Sequence, residues 1–213
     1  MSDKTDIIQR LEFMNAGGNI VEHIWEKKMS KLAVIFPGIG YHTDKPLLYF
    51  SKRLAGNAGY EIISVDYSGF PSGVKGSKEK MRESYFIALE QTREMLKKVN
   101  FDSYEDVLFI SKSVGTAVAA GYAKENNLHV RNIYYTPVEE SFQFMEEKSG
   151  IVFHGTADPW AETPVIEDGC KRLSLPLYIT PDASHSIETG DVQKDLSNFK
   201  IIMEQTEAYI KAL

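Results

Sequence analysis

Cysteine is nearly absent. Cys170 is the only one in 213 residues, so the chain can hold no internal disulfide framework and suits a reducing compartment. Long apolar runs are missing too: no stretch approaches the roughly 20 residues that span a bilayer. The first residues, Met-Ser-Asp-Lys-Thr-Asp, lack the apolar core of a secretory signal. There is no excess of positive charge either. Thirty acidic side chains stand against 24 basic ones, net −6 and mixed along the chain, which argues against a nucleic-acid surface. No pair of histidines or cysteines has metal-ligand spacing. Gly38-x-Gly40 is followed by threonine at 43, which breaks the dinucleotide-loop pattern. Neither metal nor cofactor is indicated. The expectation is a soluble cytoplasmic protein without nucleic-acid or membrane partners, its oligomeric state unreadable.

What is present is a 43% hydrophobic composition, enough to fill one core, and no linker or repeat divides residues 1–213. A single domain is expected. Residues 7–14 and 20–25 flank a glycine-rich turn and predict an antiparallel hairpin. Beyond it, strands alternate with helices. Leu32–Phe36 leads to a helix with Asp44 as its cap and Pro46 in its first turn. Residues 61–66 lead to a long helix from Ser77 to Val99, whose stripe of Met81, Tyr85, Ala88, Thr92, Met95 and Val99 reads as core. Strands at 107–110, 132–135, 151–154 and 176–180 follow, and a closing helix carries Leu196, Phe199, Met203, Tyr209 and Leu213. The alternation predicts an α/β fold with a mostly parallel central sheet of about eight strands flanked by helices.

One stretch carries the chemistry. Val107 to Ile110 is apolar and partly β-branched, as in a strand buried on both faces. It passes through Ser111-Lys112-Ser113-Val114-Gly115 straight into a run of small residues suited to a closely packed helix. A serine at such a turn has its hydroxyl pushed above the sheet edge, with helix N–H groups facing any oxyanion formed there. The pattern is G-x-S-x-G with serine replacing the first glycine. Five residues alone fit an ordinary strand–turn–helix connection equally well.

What separates the readings is what the other strands deliver at their carboxyl ends, where open parallel sheets bind ligands. The strand at 151–154 delivers Asp158 and the last strand delivers His185. A serine hydroxyl needs an imidazole to take its proton, and the imidazole needs a carboxylate to fix its tautomer. Asp182 is a rival acid but lies too near His185 in sequence, and His42 is the one substitute base. Asp66 reads as structural. Lys112 is expected to lay its stem aside and keep its charge in water.

With these pieces in place the chain resembles the α/β-hydrolase superfamily over nearly its whole length. The matching segments are Ser111 to Gly115, Gly155-Thr156-Ala157-Asp158-Pro159 and Ala183-Ser184-His185-Ser186. Pro37-Gly38-Ile39-Gly40-Tyr41 resembles the family's histidine-glycine loop, with proline for the histidine. The resemblance implies the backbone N–H groups of Ile39 and Val114 as oxyanion donors, and a Ser113–His185–Asp158 triad. Many relatives insert a helical lid after the sixth strand, but the interval here is only residues 136–150. An open cleft rimmed by Tyr41, Tyr67, Phe70 and Trp160 is therefore expected, suited to small or medium acyl esters. The same triad would serve a peptidase, thioesterase or acyltransferase, and a non-catalytic binding protein could keep the frame.

Overall fold

The computed structural model describes residues 8–14, 20–26, 31–74 and 77–212. β1 (Ile8–Met14) and β2 (Ile20–Glu26) pair antiparallel with each other. The predicted turn between them, and Leu213, lie outside the described residues. β3 (Lys31–Phe36), β4 (Glu61–Ser64), β5 (Asp106–Lys112), β6 (Arg131–Tyr135), β7 (Gly150–Gly155) and β8 (Leu177–Thr180) form a second, all-parallel sheet in the order β4-β3-β5-β6-β7-β8. Among the described residues the central sheet thus has six strands rather than about eight. Among the described residues the hairpin pairs only with itself, which an alternating sequence pattern cannot reveal.

Both faces of the sheet are covered. α1 (Pro46–Asn57) and α5 (Val192–Lys211) bury Leu47, Leu48, Ile202 and Ile210 against Ala33, Ile35, Ile110 and Ile133. On the other face α2 (Lys78–Leu96) and α3 (Val114–Glu125) pack Ala88, Leu89 and Val118 on Leu32, Val34 and Phe109. α4 (Thr163–Arg172) sets Ile166 and Cys170 against Tyr134 and Val152. Alternate strand residues therefore serve opposite layers, which is why β3 and β5 read as continuous apolar runs. Each fully buried Leu, Ile or Phe in them contributes roughly 1.5–3 kcal/mol of transfer free energy. Among the described residues no helix is long and apolar enough to cross a membrane.

Several expected helix details shift. The cap of α1 is Lys45, not Asp44, because Pro46 at the first helical position holds its predecessor extended. Asp44 lies beside Lys52 instead, at 3.4 Å. The buried face of α2 is Ser84, Ala88, Leu89, Thr92 and Leu96, while Met95 is exposed. Met81 and Tyr85 are half-buried, and the Tyr85 hydroxyl lies against Gly121 of α3, where a Cβ would approach it to 2.5 Å. On α5 the buried residues are Ile202, Thr206 and Ile210, and Leu196 is exposed.

One buried polar contact joins the α1–α5 layer to the sheet. The Tyr135 hydroxyl, at the end of β6, lies 2.8 Å from Ser51 Oγ of α1 and 2.6 Å from Thr206 Oγ1 of α5.

Candidate active site

Ser113 is the turn between β5 and α3. Its backbone sits at φ 57°, ψ −128°, a region that side chains rarely adopt. Such strain, of the order of 1–3 kcal/mol, persists only where surrounding structure enforces it. The enforcement is visible. A Cβ on Gly115 would lie 2.3 Å from the Pro37 carbonyl oxygen, so β3 crosses the turn at a distance only glycine permits. A Cβ on Gly38 would approach Ser113 Cβ to 3.0 Å, which puts the 37–41 loop directly against the serine. Ser111, in place of the first elbow glycine, is buried and its hydroxyl donates to the Ile133 carbonyl at 3.3 Å. The departure is accommodated by the neighbouring strand.

The last strand delivers the histidine on a tight loop. Ser184 N–H donates to Glu188 O, and Ile187, buried and β-branched, takes a φ of 58°. The acid's loop lies against it: Ala157 N–H donates to Ala183 O at 2.9 Å, and a Cβ on Gly155 would meet that same oxygen at 2.3 Å. Ser113, Asp158 and His185 are thereby brought together. Ser113 Oγ is 2.8 Å from His185 Nε2, and His185 Nδ1 is 2.7 Å from Asp158 Oδ2. A carboxylate only accepts, so Nδ1 carries the proton and Nε2 faces the serine with its lone pair. Asp158's side chain is wholly buried, and its other oxygen accepts the Trp160 N–H at 2.9 Å.

Burial holds the His185 imidazole below its ordinary pKa, and the neighbouring Lys112 charge pushes the same way. The Asp158 hydrogen bond opposes both without cancelling them. The ring is consequently neutral at pH 7, the form able to accept a proton.

The rivals stand elsewhere. Asp182 is exposed and pairs with Lys194 at 3.2 Å, and His42 is exposed beside Asp44. Asp66 accepts the Tyr67 N–H at the surface. His154 is buried in β7, its Nε2 2.9 Å from Thr163 Oγ1.

Gly38 and Tyr41 exchange backbone hydrogen bonds, so Ile39 occupies the tip of the loop that abuts Ser113. Val114 is the first residue of α3, where N–H groups have no partner within the helix.

A cavity of about 400 Å³ opens beside Val114, walled by Met81, Tyr85, Phe86, Ala117 and Phe144. Tyr85 stacks on Phe144 with ring centroids 5.3 Å apart. A second cavity of about 470 Å³ shares Met81 and Val138 with it and reaches Asp158 and Trp160. Of the four expected rim aromatics, Trp160 lines this second cavity and lies 5.9 Å from the His185 ring. Tyr41, Tyr67 and Phe70 line neither cavity. Tyr67 donates to or accepts from Thr92 Oγ1 at 3.1 Å and packs with Phe70 on the α2 layer. Tyr41 lies under Lys112.

Lys112 is the residue that the sequence misplaced. Its side chain is fully buried rather than solvated, and its Nζ donates to Thr136 Oγ1 at 2.5 Å and to the His185 carbonyl at 2.7 Å. The signal was its position as the last residue of a strand buried on both faces.

No family model matches this sequence, and no curated protein matches it. Solved structures do. Est1E from Butyrivibrio proteoclasticus, described with ferulic acid bound, is 12% identical over 95% of this chain and 94% of its own, TM-score 0.62. An α/β serine hydrolase homologue from Coxiella burnetii is 14% identical over 84% of this chain and 85% of its own, TM-score 0.60. XC6422 from Xanthomonas campestris, described as an α/β serine hydrolase without a lid, is 13% identical over 97% and 96%, TM-score 0.55. The chain has the α/β-hydrolase fold.

Proposed function

We propose that this protein is a serine hydrolase acting on small or medium acyl esters. The observation that carries the reading is the hydrogen-bonded chain from Ser113 Oγ through His185 to buried Asp158. In this reading Ser113 Oγ attacks the ester carbonyl while His185 Nε2 takes its proton. The Ile39 and Val114 N–H groups receive the tetrahedral oxyanion. His185 then protonates the departing alcohol, leaving an acyl-Ser113. Water, deprotonated by the same imidazole, releases the acid and restores the serine. The aromatic cavity beside Val114 is the natural seat for one half of the ester, and the wetter one beside Trp160 for the other. Only a short 3₁₀ turn, Glu139–Gln143, separates β6 from β7, so an open site without a helical lid suits modest substrates. The names of neighbours such as the esterase Pf2001 from Pyrococcus furiosus favour esters over amides.

Mass spectrometry after treatment with a fluorophosphonate tests the reading. Labelling is expected on Ser113, absent from Ser113→Ala and strongly slowed in His185→Ala. A folded wild-type protein that resists the probe would favour a binding protein on a hydrolase frame.

The acid side of the pH profile gives a second expectation. Because His185 is held below its ordinary value of 6.5, the neutral base persists into more acidic solution. For a neutral ester, kcat/KM should therefore fall to half only below pH 6.5. A midpoint above that value would contradict the assignment of His185 as the base.

A further inference from the structure

The mechanism above gives Lys112 no role, yet burying a lysine is costly unless its donors are matched. Its surroundings come from three loops. Nζ donates to Thr136 Oγ1, just past β6, and to the His185 carbonyl, past β8. Thr136 Oγ1 in turn donates to that same carbonyl at 3.1 Å. The Tyr41 ring, in the loop after β3, lies with its centroid 5.0 Å from Nζ. Thr136 takes a φ of 39°, an uncommon backbone for a β-branched residue, so its hydroxyl is aimed by a strained turn.

We propose that Lys112 is a positioning residue, whose buried amino group clamps the backbone of His185 to the strand that carries Ser113. Lys112 and Ser113 are consecutive, so a clamp from one to the histidine's carbonyl sets the reach of that histidine's ring toward the other. Among the described residues, Thr136 is the other side chain that holds the His185 carbonyl. The clamp is also electrostatic: a positive charge on Lys112 disfavours a second one on His185. The groups facing Lys112 are Asp158, Glu188 and Tyr41, and those acting on His185 are Asp158, Lys112 and His154. Burial draws the Lys112 amine down to about 7, so it is mostly charged through the acidic range in which the imidazole titrates.

The proposal rests on Ser113 and His185 being nucleophile and base, and the experiment separates the two claims. Lys112→Met and Thr136→Val are compared with wild type for ester turnover and for the His185 titration followed by ¹⁵N NMR. Lys112→Met is expected to lower kcat about tenfold or more, with KM changed less than about twofold, as for a misplaced reacting group. Its His185 titration and the acid limb of kcat/KM should both move to higher pH, because the repelling charge is gone. Thr136→Val should cost less and leave the titration in place, since it removes no charge. The double variant should resemble Lys112→Met, because both side chains act on one carbonyl. A Lys112→Met protein with kcat within about twofold of wild type and an unmoved titration overturns the clamp. If that variant does not fold, the wild type decides. A slowly exchanging lysine ¹⁵Nζ signal coupled through a hydrogen bond to the His185 carbonyl carbon supports the clamp, and a fast-exchanging one overturns it. Wild type that resists fluorophosphonate while its His185 titration still responds to Lys112→Met removes the hydrolase reading and keeps the clamp.

Discussion

Asp158→Asn is expected to lower kcat about 10⁴-fold while leaving the fold intact. The side chain is wholly buried, so shape is kept and only charge and proton direction change. Asp158 Oδ1 accepts the Trp160 N–H, a bond the asparagine oxygen can preserve. Its amide NH₂ would then point at His185 Nδ1. A donor at that place favours the tautomer with the proton on Nε2, and such an imidazole cannot take the hydrogen of Ser113. The loss of the carboxylate also removes what stabilises the imidazolium formed during attack. Steady-state turnover of an ester, with circular dichroism and a thermal midpoint as checks on folding, measures the effect. Retention of more than about a tenth of wild-type kcat would exclude Asp158 from the reaction.

Gly115→Ala is expected to destabilise the fold by roughly 3 kcal/mol or more, and to slow whatever protein survives. The added methyl would meet the Pro37 oxygen at 2.3 Å and the Phe36 oxygen at 2.7 Å. Both are backbone atoms of the central sheet's exit, so no side chain can rotate away. Relief requires β3 and the start of α3 to part. That motion carries the 37–41 loop off Ser113, which Gly38 now approaches so closely. Urea unfolding gives the stability and burst labelling by a fluorophosphonate gives the rate. A midpoint equal to wild type would mean that the turn is looser than its contacts imply.

The layered sheet and the gathering of Ser113, Asp158 and His185 were legible because each lies within five residues of the carboxyl end of a parallel strand. Apolar runs of strand length mark the strand ends, and parallel pairing puts those ends on one side. Lys112 was misread for a complementary reason. A lysine reads as a solvated charge, and its acceptors at 136 and 185 are supplied by loops distant in sequence. The stripe on α2 was legible in part: Ala88 and Thr92 are buried and Tyr85 and Val99 pack against the same core, whereas Met95 is exposed and Ser84, Leu89 and Leu96 complete the buried face. Met81 and Tyr85 also wall a cavity. The rim was over-read in the same way: Tyr67 and Phe70 follow a strand, but they fold back on the α2 layer. Size and apolarity do not say which way a loop residue turns.

The hydroxyls of Ser51, Tyr135 and Thr206 have a one-way order. Ser51 gives its hydrogen to the Leu47 carbonyl at 2.6 Å, so Tyr135 must give to Ser51 and Thr206 to Tyr135. Rotating α1 or α5 by one residue swings its side chains about 100° and would strand these dry hydroxyls without mates. Oily neighbours alone tolerate such slippage. The two helices therefore have a single indexed azimuth, keyed by a tyrosine that sits one residue before Thr136.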